Sequence, residues 1–221
     1  MNICIDPDQT PEEARDTILD ALLAHVPFDG WSGAVIQRAA ADLGIAPEYI
    51  RIAFPDGMTE IIAFFSGRAD RDMLAAFEEM GLSNMRVRDR ITTAVRTRLE
   101  QNAEHKEAIR RALAVLALPR NARLGKKLLW QTVDAMWRAA GDTATDYNHY
   151  TKRLILSGVY STTLIIWLDD QSEDHAETWA FLDRRIGNVM QFEKAKAEWR
   201  KNKPNLPSLP RLLGRLRYPA R

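Results

Sequence analysis

Between Arg153 and Asp169 the chain carries fifteen residues without a charge, ten of them large and apolar: Leu154, Ile155, Leu156, Val159, Tyr160, Leu164, Ile165, Ile166, Trp167 and Leu168. A helix needs about 20 predominantly apolar residues to cross a bilayer. This run is too short for that and reads as a buried core helix. Its apolar side chains point in nearly every direction, which places it centrally, wrapped by neighbours. Such a helix needs partners, and the chain supplies them. Leu129, Trp130, Val133, Met136, Trp137 and Ala140 recur at spacings of three and four. Trp179, Phe181, Leu182, Ile186, Val189 and Met190 supply a third wall. Alternating apolar and polar stretches of strand type are missing, so the fold class is all-α, a helical bundle.

Capping and turn signals divide the chain further. Thr10-Pro11-Glu12-Glu13 is a capping box with Pro at the first helical position, and it opens a helix over 11–26. A second helix fills 32–43 and stops at Gly44, and a third opens at Pro47 and ends before Pro55-Asp56-Gly57. Longer helices are expected over 58–80, 86–101, 104–117, 122–140, 144–169 and 173–199. The expected organisation is therefore an N-terminal unit over 1–57, a bundle over 58–199 and a separate tail over 200–221. Helix, turn, short helix and long helix in 31–65 follow the order of a helix-turn-helix unit, and this resembles the first domain of TetR-type regulators.

Charge decides what that unit can bind. Between Phe28 and Glu60, Arg38 and Arg51 stand against Asp29, Asp42, Glu48, Asp56 and Glu60, a balance of −3. Duplex DNA is held by Lys and Arg on its phosphates, so this surface would be repelled, and no nucleic-acid partner is expected. In the short helix Tyr49, Ile50, Ile52 and Phe54 read as packing. The alternative, a ligand-responsive transcriptional regulator, stands against that charge balance.

A single cysteine, Cys4, excludes an intramolecular disulfide framework and fits a reducing compartment. The first twenty residues hold one Arg against six acids, the reverse of a signal or transit peptide, so a cytoplasmic protein is expected. Catalysis has no candidate residues. The histidines at 25, 105, 149 and 175 are scattered, and no G-x-S-x-G, H-E-x-x-H or phosphate-binding Gly loop occurs. Asp146-x-x-His149 has a ligand-like spacing, yet a di-iron bundle needs two such motifs and further carboxylates. Neither a metal nor a cofactor is expected.

The large apolar stripes have two readings, a plain bundle core or an apolar ligand cavity between helices. Ser157, Gly158, Ser161, Thr162 and Thr163 leave room in the uncharged helix and favour the cavity. Its expected contacts are Val133, Trp137, Leu154, Leu156, Tyr160, Leu164, Trp179, Leu182 and Ile186. Before the run stands the polar stretch "GDTATDYNHYTKR". Asp142, Thr143 and Thr145 are N-cap candidates, and Thr143 to Asp146 has capping-box spacing. Arg153 lies further in. It is placed either at the rim of the cavity, for a phosphate or a quinone oxygen, or in an ion pair with Asp134, Asp169 or Asp170.

The stretch "GDTATDYNHYTKRLILSGVYSTTLIIWLDD", followed by "WAFLDRRIGNV", resembles the signature of the Coq-nine ubiquinone-biosynthesis accessory family, as does the earlier "HVPFDGWSGAVIQRAAADLGI". The resemblance spans about residues 20–190. It implies a TetR-like fold without DNA binding, acting as a non-catalytic protein that binds an isoprenoid quinone intermediate or a phospholipid and presents it to a membrane-associated hydroxylase. It also implies a docking patch for that hydroxylase, which falls here on Asp146, His149 and Tyr150, and a lipid-contacting Arg, which falls on Arg153. His149 stands where the family usually has Trp.

From Lys194 to Arg221 nine Lys or Arg stand against Glu198 alone, so the end of the chain is a basic object of its own. In a helix Leu206, Leu209, Leu212, Leu213 and Leu216 can share a face, with Arg211 and Arg215 one turn apart on the other, the pattern of a short amphipathic helix lying in a membrane interface; the alternatives are a disordered basic arm or a nucleic-acid arm. Pro207, Pro210 and Gly214 limit the length of that helix. The chain is thus expected to associate peripherally with the inner membrane, and a homodimer is expected from the TetR-like bundle.

Overall fold

The computed structural model describes residues 9–142 and 147–201, and among them every regular element is helical. α1 (Pro11–Asp29) begins on the expected capping box. The Thr10 N–H donates to Glu13 Oε2 at 2.8 Å, and the Glu13 N–H donates to Thr10 Oγ1 at 3.3 Å. The helix runs past Val26 with Pro27 in its last turn and stops at Gly30, where φ is 67°. α2 (Gly33–Leu43) ends at Gly44 in the left-handed region, a conformation glycine adopts without a Cβ clash. α3 (Pro47–Ala53), α4 (Met58–Glu79), α5 (Val87–Gln101), α6 (Lys106–Leu116), α7 (Ala122–Ala139), α8 (Tyr147–Asp169) and α9 (Ala176–Lys201) follow. Each expected helix is present with its ends shifted by a few residues. The capping box proposed over Thr143–Asp146 lies outside the described residues.

Residues up to Asp183 form one compact unit and those from Arg184 onward a second, the division falling within α9. In the first unit a continuous buried cluster joins the N-terminal helices to the bundle. Leu19, Leu22 and Val26 of α1, Val35 and Ala39 of α2 and Ile50 of α3 belong to the same cluster as Ile61 and Phe65 of α4, Ala108 of α6 and Leu128 of α7. The Trp31 indole N–H donates to the Ala108 carbonyl at 2.9 Å, tying the start of α2 to α6. The helix-turn-helix-like unit is therefore built into the bundle core.

Two packing expectations are corrected. In α3, Ile50 and Phe54 are buried, but Tyr49 and Ile52 are exposed, because a seven-residue helix lying on the surface buries one side alone. α8 is not wrapped all round. Leu156, Val159, Tyr160, Leu164, Trp167 and Leu168 are buried, while Tyr150, Leu154 and Ile165 are 62%, 70% and 58% exposed. Their spacing puts these three on one side of the helix. Among the described residues, no helix is long and apolar enough to cross a membrane.

Candidate functional site

A cavity of about 540 Å³ lies inside the bundle, within the size range of small-molecule sites. α4 contributes Ile62, Phe65, Ser66 and Ala69; α6 contributes Ile109, Ala112, Leu113 and Leu116; α7 contributes Leu128, Leu129 and Thr132; and α8 contributes Tyr160, Ser161, Leu164 and Ile165. Most of this surface is hydrocarbon. Small side chains make the space: Ala69, Ala112, Gly125 and Ser161 stand where bulkier residues would close it.

The cavity has a polar floor centred on Arg98 of α5. This arginine is 7% exposed and fully engaged with α4 and α8. Its Nε donates to Asp70 Oδ1 at 2.7 Å, its Nη1 to Tyr160 Oη at 2.6 Å, and its Nη2 to the Ser66 carbonyl and Oγ, both at 3.2 Å. Thr132 Oγ1 completes the group by donating to Asp70 Oδ2 at 3.1 Å. Burial opposes the guanidinium charge, but the Asp70 carboxylate and the hydrogen bonds the guanidinium donates to Asp70 and Tyr160 favour it, and the arginine pKa is raised. Burial likewise raises the Tyr160 phenol, so it stays protonated at neutral pH. Tyr160 Oη accepts from Arg98 and donates to no described residue, which leaves its O–H for a cavity occupant. Because Asp70 balances Arg98, the floor offers hydrogen-bond donors without a net charge. That chemistry suits a neutral amphiphile with an acceptor oxygen better than an anionic headgroup.

Of the side chains expected at a ligand, Tyr160 and Leu164 line the cavity. The others are placed elsewhere. Val133, Leu156 and Leu182 are core residues, and Trp179 is buried with its indole N–H donating to the Asp174 carbonyl at 2.8 Å. Trp137 is half-buried under the Lys152 ammonium, Leu154 is exposed, and Ile186 belongs to the second compact unit. Arg153 is 2% exposed and is not among the residues that line this cavity. Its Nε donates to Asp134 Oδ1 at 2.6 Å, and its Nη1 to Asp142 Oδ2 at 3.0 Å and to the His149 carbonyl at 3.2 Å. The ion pair with Asp134 was one of the two readings of the sequence. Asp169 instead pairs with Arg110, and Asp170 caps the start of α9 through Ser172 and Thr178. A guanidinium held by two carboxylates anchors α8 to α7, since a lone buried charge would be far costlier.

That anchor positions an aromatic group on the surface. Tyr150 stacks on Trp130 of α7 with ring centroids 6.1 Å apart, and His149 meets the edge of Tyr150 at 5.1 Å. His149 and Tyr150 thus come together as expected, joined by Trp130, which the sequence reading had assigned to the core stripe. Asp146 and the tail residues Leu209, Arg211, Leu212, Leu213, Arg215 and Leu216 lie outside the described residues. Among the described residues, no group of three His, Cys, Asp or Glu side chains is placed to hold a metal ion.

The COQ9 family model matches residues 122–193, from the start of α7 into α9. Ubiquinone biosynthesis protein COQ9, mitochondrial, of Rattus norvegicus is 35% identical over 191 residues, 83% of this chain and 61% of that protein. Across this span the chain belongs to the COQ9 family. The Homo sapiens protein of the same name is 34% identical, covering 83% of this chain and 60% of its own, and that of Drosophila melanogaster is 30% identical, covering 81% and 56%. The chain therefore spans about three fifths of the length of these COQ9 relatives. The solved TetR transcriptional regulator from Nitrosomonas europaea superposes with a TM-score of 0.69 at 22% identity, over 81% of this chain and 99% of that one. This likeness establishes a TetR-like fold.

Proposed function

We propose that the chain is a non-catalytic accessory protein of ubiquinone biosynthesis. It binds an isoprenoid quinone intermediate in the bundle and presents it to a membrane-associated hydroxylase. The observation that carries this reading is the apolar cavity floored by Arg98 and Tyr160, in a chain that matches COQ9 proteins named for ubiquinone biosynthesis. The isoprenoid portion takes the hydrocarbon walls, and a ring oxygen accepts from the Tyr160 O–H. The Trp130–His149–Tyr150 group, with Tyr150 exposed and Trp130 and His149 half-buried, supplies a docking surface of the aromatic kind that protein partners use. The basic tail supplies peripheral attachment to the inner membrane, and the chain itself performs no step of chemistry.

Deleting the chain from its host tests this directly. Ubiquinone should fall while the unhydroxylated precursor accumulates, and wild-type chain should restore both. Normal ubiquinone in the deletion strain would sink the reading.

A further inference from the structure

The cavity opens at one corner of the molecule. Of its lining residues Ala117, Lys126 and Ile165 are exposed, and Ala117 and Lys126 bracket the turn between α6 and α7. Charge along this turn is one-sided. Between Glu107 and Asp134 the sequence holds six Lys or Arg and no acid. Two of the six are engaged: Arg110 with Asp169 at 2.8 Å and Arg111 with Glu107 at 2.9 Å. The other four, Arg120, Arg123, Lys126 and Lys127, are exposed, and none makes an ion pair among the described residues.

Helix stability does not explain the cluster. Arg120 precedes α7 and Arg123 stands in its first turn, at the end of the helix dipole that disfavours cations. The first turn of α7 contains no acid, and the Asn121 side chain at its N-cap donates backwards to the Val115 carbonyl at 2.8 Å. Among these cations Leu118 is 40% exposed, next to the exposed Pro119. The corner therefore combines unpaired cations, an apolar wedge and the mouth of an apolar cavity.

We propose that the α6–α7 corner docks the chain on a bilayer containing anionic phospholipid, with the cavity mouth against the membrane. The headgroup phosphates meet Arg120, Arg123, Lys126 and Lys127, Leu118 enters the acyl boundary, and a lipid passes beside Lys126 and Ile165. This inference rests on reading the cavity as a lipid site, and it assigns membrane contact to a surface separate from the tail. A nucleic acid would engage the same charges but leaves both Leu118 and the adjoining opening without a role.

The test compares three full-length proteins: wild type, a corner variant (Arg120→Gln, Arg123→Gln, Lys126→Gln and Lys127→Gln) and a tail variant (Arg211→Gln, Arg215→Gln and Arg217→Gln). Each is sedimented with phosphatidylcholine vesicles, with and without phosphatidylglycerol. A cation near an anionic surface is worth about fivefold in affinity, so with two or more in contact the corner variant should bind the anionic vesicles at least about 25-fold more weakly than wild type. Binding to phosphatidylcholine alone should not change. A corner variant that sediments like wild type, with binding lost only in the tail variant, overturns the proposal. So does a short oligonucleotide that binds the corner and releases the vesicles. Lipid content of the wild type, measured separately by extraction, reports on the cavity alone. An empty wild type with corner-dependent vesicle binding would fail the cavity reading and leave the docking surface standing.

Discussion

Replacing Arg98 with Met should be among the most damaging single changes in the bundle. The guanidinium is almost fully buried, and its loss leaves the Asp70 carboxylate, 14% exposed, with Thr132 Oγ1 as its remaining hydrogen-bond donor. Breaking a buried ion pair from one side costs about 3–5 kcal/mol, because the surviving charge is stranded. A domain of this size shifts by about 2–4 °C per kcal/mol, so the melting temperature should fall by roughly 6–20 °C. Adding Asp70→Asn removes the stranded charge and should recover at least about half of the loss, a coupling expected of residues in direct contact. Circular dichroism melts and urea titrations of wild type, both single variants and the double variant complete the cycle. A fall of less than about 2 °C for Arg98→Met, or a double variant whose loss is the sum of the two singles, would refute the buried polar floor.

Two further outcomes follow from the same reasoning. Arg153→Ala should cost about 3 kcal/mol, the low end for a broken buried pair, because Arg138 still meets Asp134 and Lys152 still meets Asp142. The lipid content per folded molecule should stay at the wild-type level, and a folded Arg153→Ala protein without lipid would return this residue to the ligand site. The acid limb of stability should depend on Asp170 and Asp134. Burial opposes their charge, but hydrogen bonds from Ser172 and Thr178 to Asp170, and from Arg153 and Arg138 to Asp134, hold both pKa values below the ordinary 3.8. Their contribution is therefore present above that value and lost as pH falls through the folded-state values. Urea unfolding between about pH 4 and pH 2 should show a shallower pH dependence for Asp170→Asn than for wild type, and equal slopes would contradict the assignment.

The helices were legible in the sequence because their signals are local. The Thr10 capping box, the left-handed Gly44 and the apolar spacing of α7 each act within a turn or two of the chain. The location of the cavity was not legible in this way. A helix that is apolar on every side carries no period to say which face meets its neighbours, so the exposed Leu154 and Ile165 of α8 read as core. Arg98 was missed because Asp70, Ser66 and Tyr160 reach it from 28, 32 and 62 residues away. One signal did exist: Ile91, Val95, Arg98 and Asn102 follow a single helical stripe, and all four are buried. A charged residue on a stripe otherwise suited to the core marks a buried partner. Arg153 was ambiguous for the same reason, since Asp134 and Asp142 flank it in space while lying 19 and 11 residues upstream.

The central claim is that the cavity holds a lipid, and native mass spectrometry with lipid extraction tests it most directly. Wild type should be compared with a variant carrying Ala112→Phe and Ser161→Phe, which fills the space from α6 and α8. The cavity leaves room for these rings, so the variant should melt within about 3 kcal/mol of wild type, the ordinary range for added bulk in a core. Wild type should carry an isoprenoid of neutral head, and the filled variant should carry none. An empty wild type, or a filled and folded variant with an undiminished lipid load, would contradict the account.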